Sequence, residues 1–403
     1  MSAQNTVTAP NPVILRVLRS LDEMQELSKA WEDLLANYPL ATTFSTLEWL
    51  ISWWQSFAQD RELQVLALFD SQSRLTGVAP LSVSRESAGR FFSLRVVRLM
   101  GDGSGDSDNL DLPVRSGFER EFAESIFGYL KEERRTWDIC QLNTMPSWSP
   151  MVAMIRAQCR SHGHAAFEYE RECSSIALPG SWEEYAQQLS SEDRNNLERY
   201  TRRLQKRYAV RIYRCAREEQ LPACLDALFR LHQLRWEGAG EPGSFASHQR
   251  REFYKLLSSR LLVRGQLEFW VMELDGAIVA AQFAFRFGDQ VYQLQEGYNP
   301  ERATDRVGFI LRGEVLRQLM SEGVRIYDFL GGTDAYKARW GATAGHYTDI
   351  HFARRFSRGG AWLQAANSLK RARGWLRTHL PSRAWNLLHQ VNLLSKGSNG
   401  RGV

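Results

Sequence analysis

The chain has 403 residues, 43% of them hydrophobic and 24% charged, with a formal net charge of +5. This make-up excludes a fibrous or wholly disordered protein and leaves room for two or three units, each with its own core. The five cysteines, Cys140, Cys159, Cys173, Cys215 and Cys224, are odd in number and lack C-x-x-C spacing, which argues against a disulfide framework or a zinc site and fits a reducing cytoplasm.

Residues 1–12 are small and polar, without the basic start and apolar run of a secretory signal, and read as a tail. Residues 63–69 and 75–83 read as two strands joined by a polar turn. A helix is predicted over 117–134, with Phe118, Phe122, Ile126 and Leu130 on one face, followed by an apolar strand at 137–142. Ser181-Trp182-Glu183-Glu184 resembles a capping box, and Ser190-Ser191-Glu192-Asp193 opens a second helix that carries Arg194, Arg199, Arg202, Arg203, Lys206 and Arg207. Two readings of that run stand side by side. It is a solvated face or the support of an acidic neighbour, or else an anion clamp, since guanidinium groups bind phosphate bidentately.

Further on, His232, Arg235 and Trp236 share a helix face at spacing i, i+3, i+4. The nearest approach to a membrane-spanning run, 269–287, is interrupted by Glu273, Asp275 and Arg286 and reads instead as part of a hairpin, 267–274 and 277–287, turned by Asp275-Gly276. Next come a strand ending in Gln295-Glu296-Gly297-Tyr298, a turn at Gly308, and a helix over 308–322 with Leu311, Val315 and Leu319 on one face. A strand at 324–330 follows, then Gly331-Gly332 and Tyr336-Lys337-x-x-Trp340. A strand that feeds a helix at a glycine turn exposes backbone N–H groups at the helix start, a seat for phosphate. Arg306 with the N–H groups at Val307, Gly308, Phe309 and Ile310 is the predicted cofactor-binding site. Hairpin, helix and strand thus occur twice about two hundred residues apart, which implies two copies of one mixed α/β unit. Residues 362–394 read as amphipathic helix broken near Pro381, with Lys370, Arg371, Arg373 and Arg377 beside Trp375 and Leu376. That is the composition of a helix in a membrane interface or of one packed on its own domain. No His pair has metal-ligand spacing, and no metal is expected.

With these segments in order, the chain resembles the GNAT-like acetyltransferases of the CelD type, associated with cellulose and other exopolysaccharide systems and related to the FemAB transferases. The resemblance runs from about Leu34 to Phe356, through Phe44-Ser45-Thr46-x-Glu48-Trp49-Leu50, Gly77-Val78-Ala79-Pro80-Leu81, Asp108 to Leu112, Trp137-Asp138, Leu178-Pro179-x-Ser181-Trp182, Arg202-Arg203-Leu204, Leu231-His232-x-x-Arg235-Trp236 and the terminal block. It implies an α/β (mixed α+β) chain of two tandem GNAT-like domains: a tail at 1–12, an N-terminal domain at 13–175, a C-terminal domain at 176–357 that keeps the site, and a basic helical extension at 358–403. It further implies an acyltransferase that uses acetyl-CoA or another acyl-CoA on a sugar or lipid-linked saccharide precursor in the cytoplasm, with peripheral contact with the inner membrane and with polysaccharide-synthesis partners, and without nucleic acid. Where the family cradles pyrophosphate on a Q/R-x-x-G-x-G/A loop, residues 302–309 offer one glycine. A non-catalytic membrane-peripheral scaffold and an aminoacyl-tRNA-dependent transferase are the alternatives.

Acyl transfer needs a group to take the acceptor's proton and donors for the developing oxyanion. On an uninterrupted strand Glu296 shares its face with Tyr292, Leu294 and Tyr298, an apolar wall that would raise its pKa and suit a general base. Asp328 and Tyr336 complete the expected catalytic set. Asp328 has a structural alternative, holding Lys337 or the bend at Gly331-Gly332. His232, Arg235, Trp236, Lys337 and Trp340 are the expected substrate-binding residues, with Lys337 either meeting an anionic acceptor or lying on the surface.

Overall fold

The Asp275-Gly276 pair turns as its composition predicts, with φ of 51° and 83°, so β8 (Leu267–Leu274) folds directly back as β9 (Ala277–Phe287). The earlier hairpin is β2 (Arg61–Asp70) with β3 (Leu75–Ser87). The computed structural model describes residues 12–88, 92–237 and 243–379; the tail over 1–11 and the predicted break at Pro381 lie outside them.

Around each hairpin the same order of elements recurs. The first half runs β1 (Val13–Leu18), three helices ending in α3 (Leu47–Phe57), β2, β3, β4 (Ser93–Leu99), α4 (Glu119–Glu132), β5 (Ile139–Pro146), α5 (Pro150–Ser161) and β6 (His164–Ala177). After α6 (Trp182–Gln188) and α7 (Ser191–Arg207), the second half runs β7 (Val210–Arg214), α8 (Leu221–Glu237), α9 (His248–Val263), β8, β9, β10 (Gln290–Tyr298), α10 (Val307–Ser321), β11 (Ile326–Gly331), α11 (Ala335–Arg339) and β12 (Thr343–Arg354). In both, a helix crosses over to a parallel strand: β4 pairs with β5 only over Val96–Arg98, and β10 with β11 only over Gln290–Tyr292.

The twelve strands of the described residues join one sheet, in the order β1-β2-β3-β4-β5-β12-β6-β11-β10-β9-β8-β7. The last strands of the two halves are exchanged. β6, made by the first half, lies against β11 of the second, and β12, made by the second, lies between β5 and β6. The β12–β6 ladder is antiparallel from Thr343 opposite Ser175 to Arg354 opposite His164. The main core follows the exchange across both halves. Phe44 meets Phe285 and Tyr292 at ring distances of 5.4 and 5.8 Å, and Trp49 of α3 meets Phe253 of α9 at 5.2 Å. Each such ring removed from water stabilises the join by roughly 1.5–3 kcal/mol. A second core lies on the other face of the second half, where Leu311, Val315 and Leu319 of α10 pack on the sheet, as their spacing predicts. The final helix α12 (Arg358–His379) is anchored by Leu363 and by Arg358 paired with Asp138 at 2.8 Å.

Candidate active site

Because β10 and β11 pair over only three residues, they diverge towards their C-terminal ends and open a cleft beneath α10. A β-bulge between Gln293 and Gln295 sets which side chains enter it. Val291 and Gln293 face α10, whereas Tyr292 and Leu294 pack into the main core. Gln295 follows them, bonded to His232 and Tyr254. Glu296 and Tyr298 then return to the α10 side. Glu296 therefore shares its face with Tyr298 but not with Tyr292 and Leu294, because the extra residue breaks the period of two on which that expectation rested.

At the other end of the cleft, Arg306 takes φ 57° and turns the chain into α10 with no side-chain cap on the first helical N–H groups. The preceding turn is held by Asp305, which is buried beneath Arg207 at 2.9 Å and Arg203 and Arg302 at 3.7 Å. Arg203 also donates to the Thr304 carbonyl. Part of the arginine run on α7 thus supports an acidic neighbour, and that neighbour fixes the start of α10.

Between α10, α11 and the face of β9 and β10 lies a cavity of about 340 Å³. Its floor is Gln282, Glu296 and Arg312; its rim carries Arg235, Arg306, Tyr336 and Arg339. Arg312 is 3% exposed, ion-paired with Glu296 and 3.5 Å from Gln293 Oε1, with its guanidinium 4.9 Å from the Phe329 ring and 5.1 Å from that of Tyr336. Burial opposes its charge, but Glu296 and the Tyr327 and Tyr336 phenols hold its pKa above the ordinary value. Arg235 approaches Glu296 from the opposite side at 3.8 Å. Four guanidinium groups against one carboxylate give the cavity lining a positive charge.

Residues 191–338 match the family model described as an acetyltransferase (GNAT) domain. This stretch, a little over a third of the chain, is similar to GNAT acetyltransferase domains. Over 84% of this chain and 96% of the other, the structure resembles FemX, with a TM-score of 0.59 at 11% identity. A conserved protein of unknown function from Bacteroides thetaiotaomicron VPI-5482 is similar over 85% of this chain and all of its own, with a TM-score of 0.52 at 11% identity. Both likenesses are of fold. No curated protein matches the chain.

Of the expected site residues, Glu296, Arg235, Arg306, Val307, Gly308, Phe309, Tyr336 and Trp340 come together around the cavity. Phe309 and Trp340 form one wall, their rings 4.9 Å apart. The Tyr336 phenol is pushed above its ordinary pKa, first by burial and then by Glu296, and keeps its proton at neutral pH.

Five expected site residues lie elsewhere. Ile310 turns to a separate groove lined by Trp182 and Arg317. His232 is buried beneath β10, accepts the Trp236 indole N–H at 3.0 Å, and is pulled down to about 4 by burial and by Arg235, so it is neutral. His232 and Trp236 support the strand from behind. Asp328 sits on the opposite face of the sheet, where it accepts the Leu330 N–H at 2.7 Å. Lys337 neither meets an acceptor nor lies on the surface: it is 3% exposed and its ammonium donates to the carbonyls of Phe329, Gly331 and Gly332 at 3.3, 2.6 and 3.1 Å. Together with Asp108, which accepts the Gly331 N–H at 3.0 Å, these two residues hold the irregular end of β11, where Leu330 has φ 61°.

Gln282 and Arg312 were missed. The available signal for Arg312 was a charge on a helix whose neighbours Ile310, Leu311, Val315 and Leu316 are all apolar; for Gln282 it was a lone amide among Ala280, Ala281, Phe283 and Ala284. Among the described residues, no helix is long and apolar enough to cross a membrane, and no group of three His, Cys, Asp or Glu side chains is placed to hold a metal ion.

Proposed function

We propose that the chain is an acyl-CoA-dependent N- or O-acyltransferase, using acetyl-CoA as its donor, that modifies a sugar or lipid-linked saccharide precursor in envelope or exopolysaccharide assembly, as the resemblance to CelD-type proteins suggests. In this reading residues 176–357 carry the site and residues 13–175 support it. The observation that carries it is the arginine-rimmed cavity into which the uncapped first turn of α10 opens. Main-chain N–H groups with Arg306 at their edge suit a diphosphate, and the aromatic wall of Phe309 and Trp340 suits the less polar arm that follows.

Coenzyme A supplies the acyl group as a thioester. The residues of the chain do the rest. Arg312 fixes one oxygen of Glu296; the other, with Arg235 3.8 Å away, remains open to the acceptor's amine or hydroxyl proton. As the new C–N or C–O bond forms and the C–S bond breaks, Tyr336 gives its phenol proton to the leaving thiolate. Trp340 and Phe309 exclude water that would hydrolyse the donor.

Calorimetry with acetyl-CoA tests the donor half: the wild type binds, and absence of binding for any acyl-CoA removes the reading. A second reading, an aminoacyl-tRNA-dependent transferase of the FemAB type, draws on the exposed Arg199 and Arg202 of α7. It requires retention of tRNA that weakens steeply with salt, and retention that ignores salt dismisses it.

A further inference from the structure

Two buried polar atoms on the cavity floor have no partner among the described residues. Gln282 is 2% exposed and its amide oxygen, fully enclosed, meets no donor; Arg312 is 3% exposed and its Nε–H meets no acceptor. Both side chains line the cavity and both flank Glu296, for Gln282 lies directly opposite Glu296 in the β9–β10 ladder and Arg312 is ion-paired with it. Buried amides and guanidinium nitrogens are almost always hydrogen-bonded, since leaving one unmet costs the full desolvation of the group. Two such vacancies, on side chains that line one cavity and flank the same carboxylate, are what a binding site retains for its ligand.

We propose that Gln282 and Arg312 form a recognition subsite for a neutral ligand group that both donates and accepts a hydrogen bond, an amide or a hydroxyl. The charge of Arg312 is already matched by Glu296, so what remains unmet is one acceptor, the Gln282 carbonyl, and one donor, the Arg312 Nε–H. A ligand carboxylate would meet Arg312 but also the Glu296 carboxylate and the amide oxygen; an ammonium would meet Arg312. A group with both polarities satisfies the two atoms at once. On the acyltransferase reading, on which this inference rests, two sources offer it: the amides of the coenzyme A arm and the hydroxyls of a saccharide acceptor.

Substituting Gln282→Leu removes the enclosed amide at similar size. In the ligand-free protein the variant is expected to melt about 2 °C higher, because an unmet polar group is exchanged for an apolar one. Its affinity for one of two probes is expected to fall about tenfold. A loss confined to acetyl-CoA assigns the subsite to the coenzyme arm; a loss confined to N-acetylglucosamine, with acetyl-CoA unaffected, assigns it to the acceptor. A lower melting temperature overturns the proposal, because the amide then has a structural partner such as an enclosed water. Unchanged affinity for both probes overturns it as well. A wild type that binds no acyl-CoA dismisses the acyltransferase reading on separate grounds and leaves the melting comparison and the saccharide to decide the subsite.

Discussion

Arg312 and Glu296 show how a site is set by what surrounds each charge. Removing the guanidinium with Arg312→Met leaves the half-buried Glu296 with Arg235, 3.8 Å away, as its remaining cation, so both folding and turnover are expected to suffer; loss of one partner of a buried pair costs up to roughly 3–5 kcal/mol, readable by denaturant unfolding. Tyr336→Phe is milder for the fold and harsher for the chemistry, with kcat down by about 10²-fold and acetyl-CoA affinity retained. If Tyr336 only packs, kcat stays within a few-fold.

Asp328 gives a test in pH. Burial raises its carboxyl to about 6, above the unfolded value, so the folded state holds the proton more tightly than the unfolded chain. The stability this confers is complete below about pH 4 and is lost as pH rises through 6, a change of roughly 2–3 kcal/mol. Asp328→Asn cannot titrate. Measured against wild type, it is expected to gain that amount in relative stability between pH 4 and pH 7, and a difference that stays flat with pH refutes the assignment.

At the scale of elements, the position of β10 is fixed by how closely it passes α8. A Cβ placed on Gly297 would lie 2.6 Å from the backbone nitrogen of His232 and 2.9 Å from the carbonyl carbon of Leu231, neither of which can yield as a side chain does. Gly297→Ala is therefore expected to push the strand and Glu296 with it, costing roughly 1–3 kcal/mol of stability and lowering acetyl-CoA affinity; unchanged binding and melting refute this. The hairpins, α10 and the strand after it were legible in the sequence because their signals are local: Asp275-Gly276 for the turn, Leu311, Val315 and Leu319 for the helix face. The bulge at Leu294 was not. Nothing in Gln293-Leu294-Gln295 announces an extra residue, whose presence depends on Gln295 finding His232 and Tyr254 on distant helices. Lys337 was misread for the same reason, since its three carbonyl partners converge only once β11 has bent. Ion pairs such as Arg207 with Asp305 join residues about a hundred positions apart, and composition alone left that arginine run with two readings.

For the whole molecule, the exchange of β6 and β12 makes the halves mutually dependent. Separate production of residues 13–175 and 176–357 is expected to give two pieces that fail to fold alone, because the first lacks the strand beside β5 and the second leaves β12 without β5 and β6. Mixing them restores a folded complex, checked by size-exclusion chromatography and by recovery of a cooperative melt. Two independent melting transitions in the intact chain would contradict this.

The exchange also fixes a schedule. β12 fits between two strands that leave the ribosome some 160 residues or more before it, so β5 and β6 wait with facing edges unpaired while those residues are made. The first half cannot close its own sheet cotranslationally. Completion of both halves is a single late event, triggered when the nascent chain delivers its final strand.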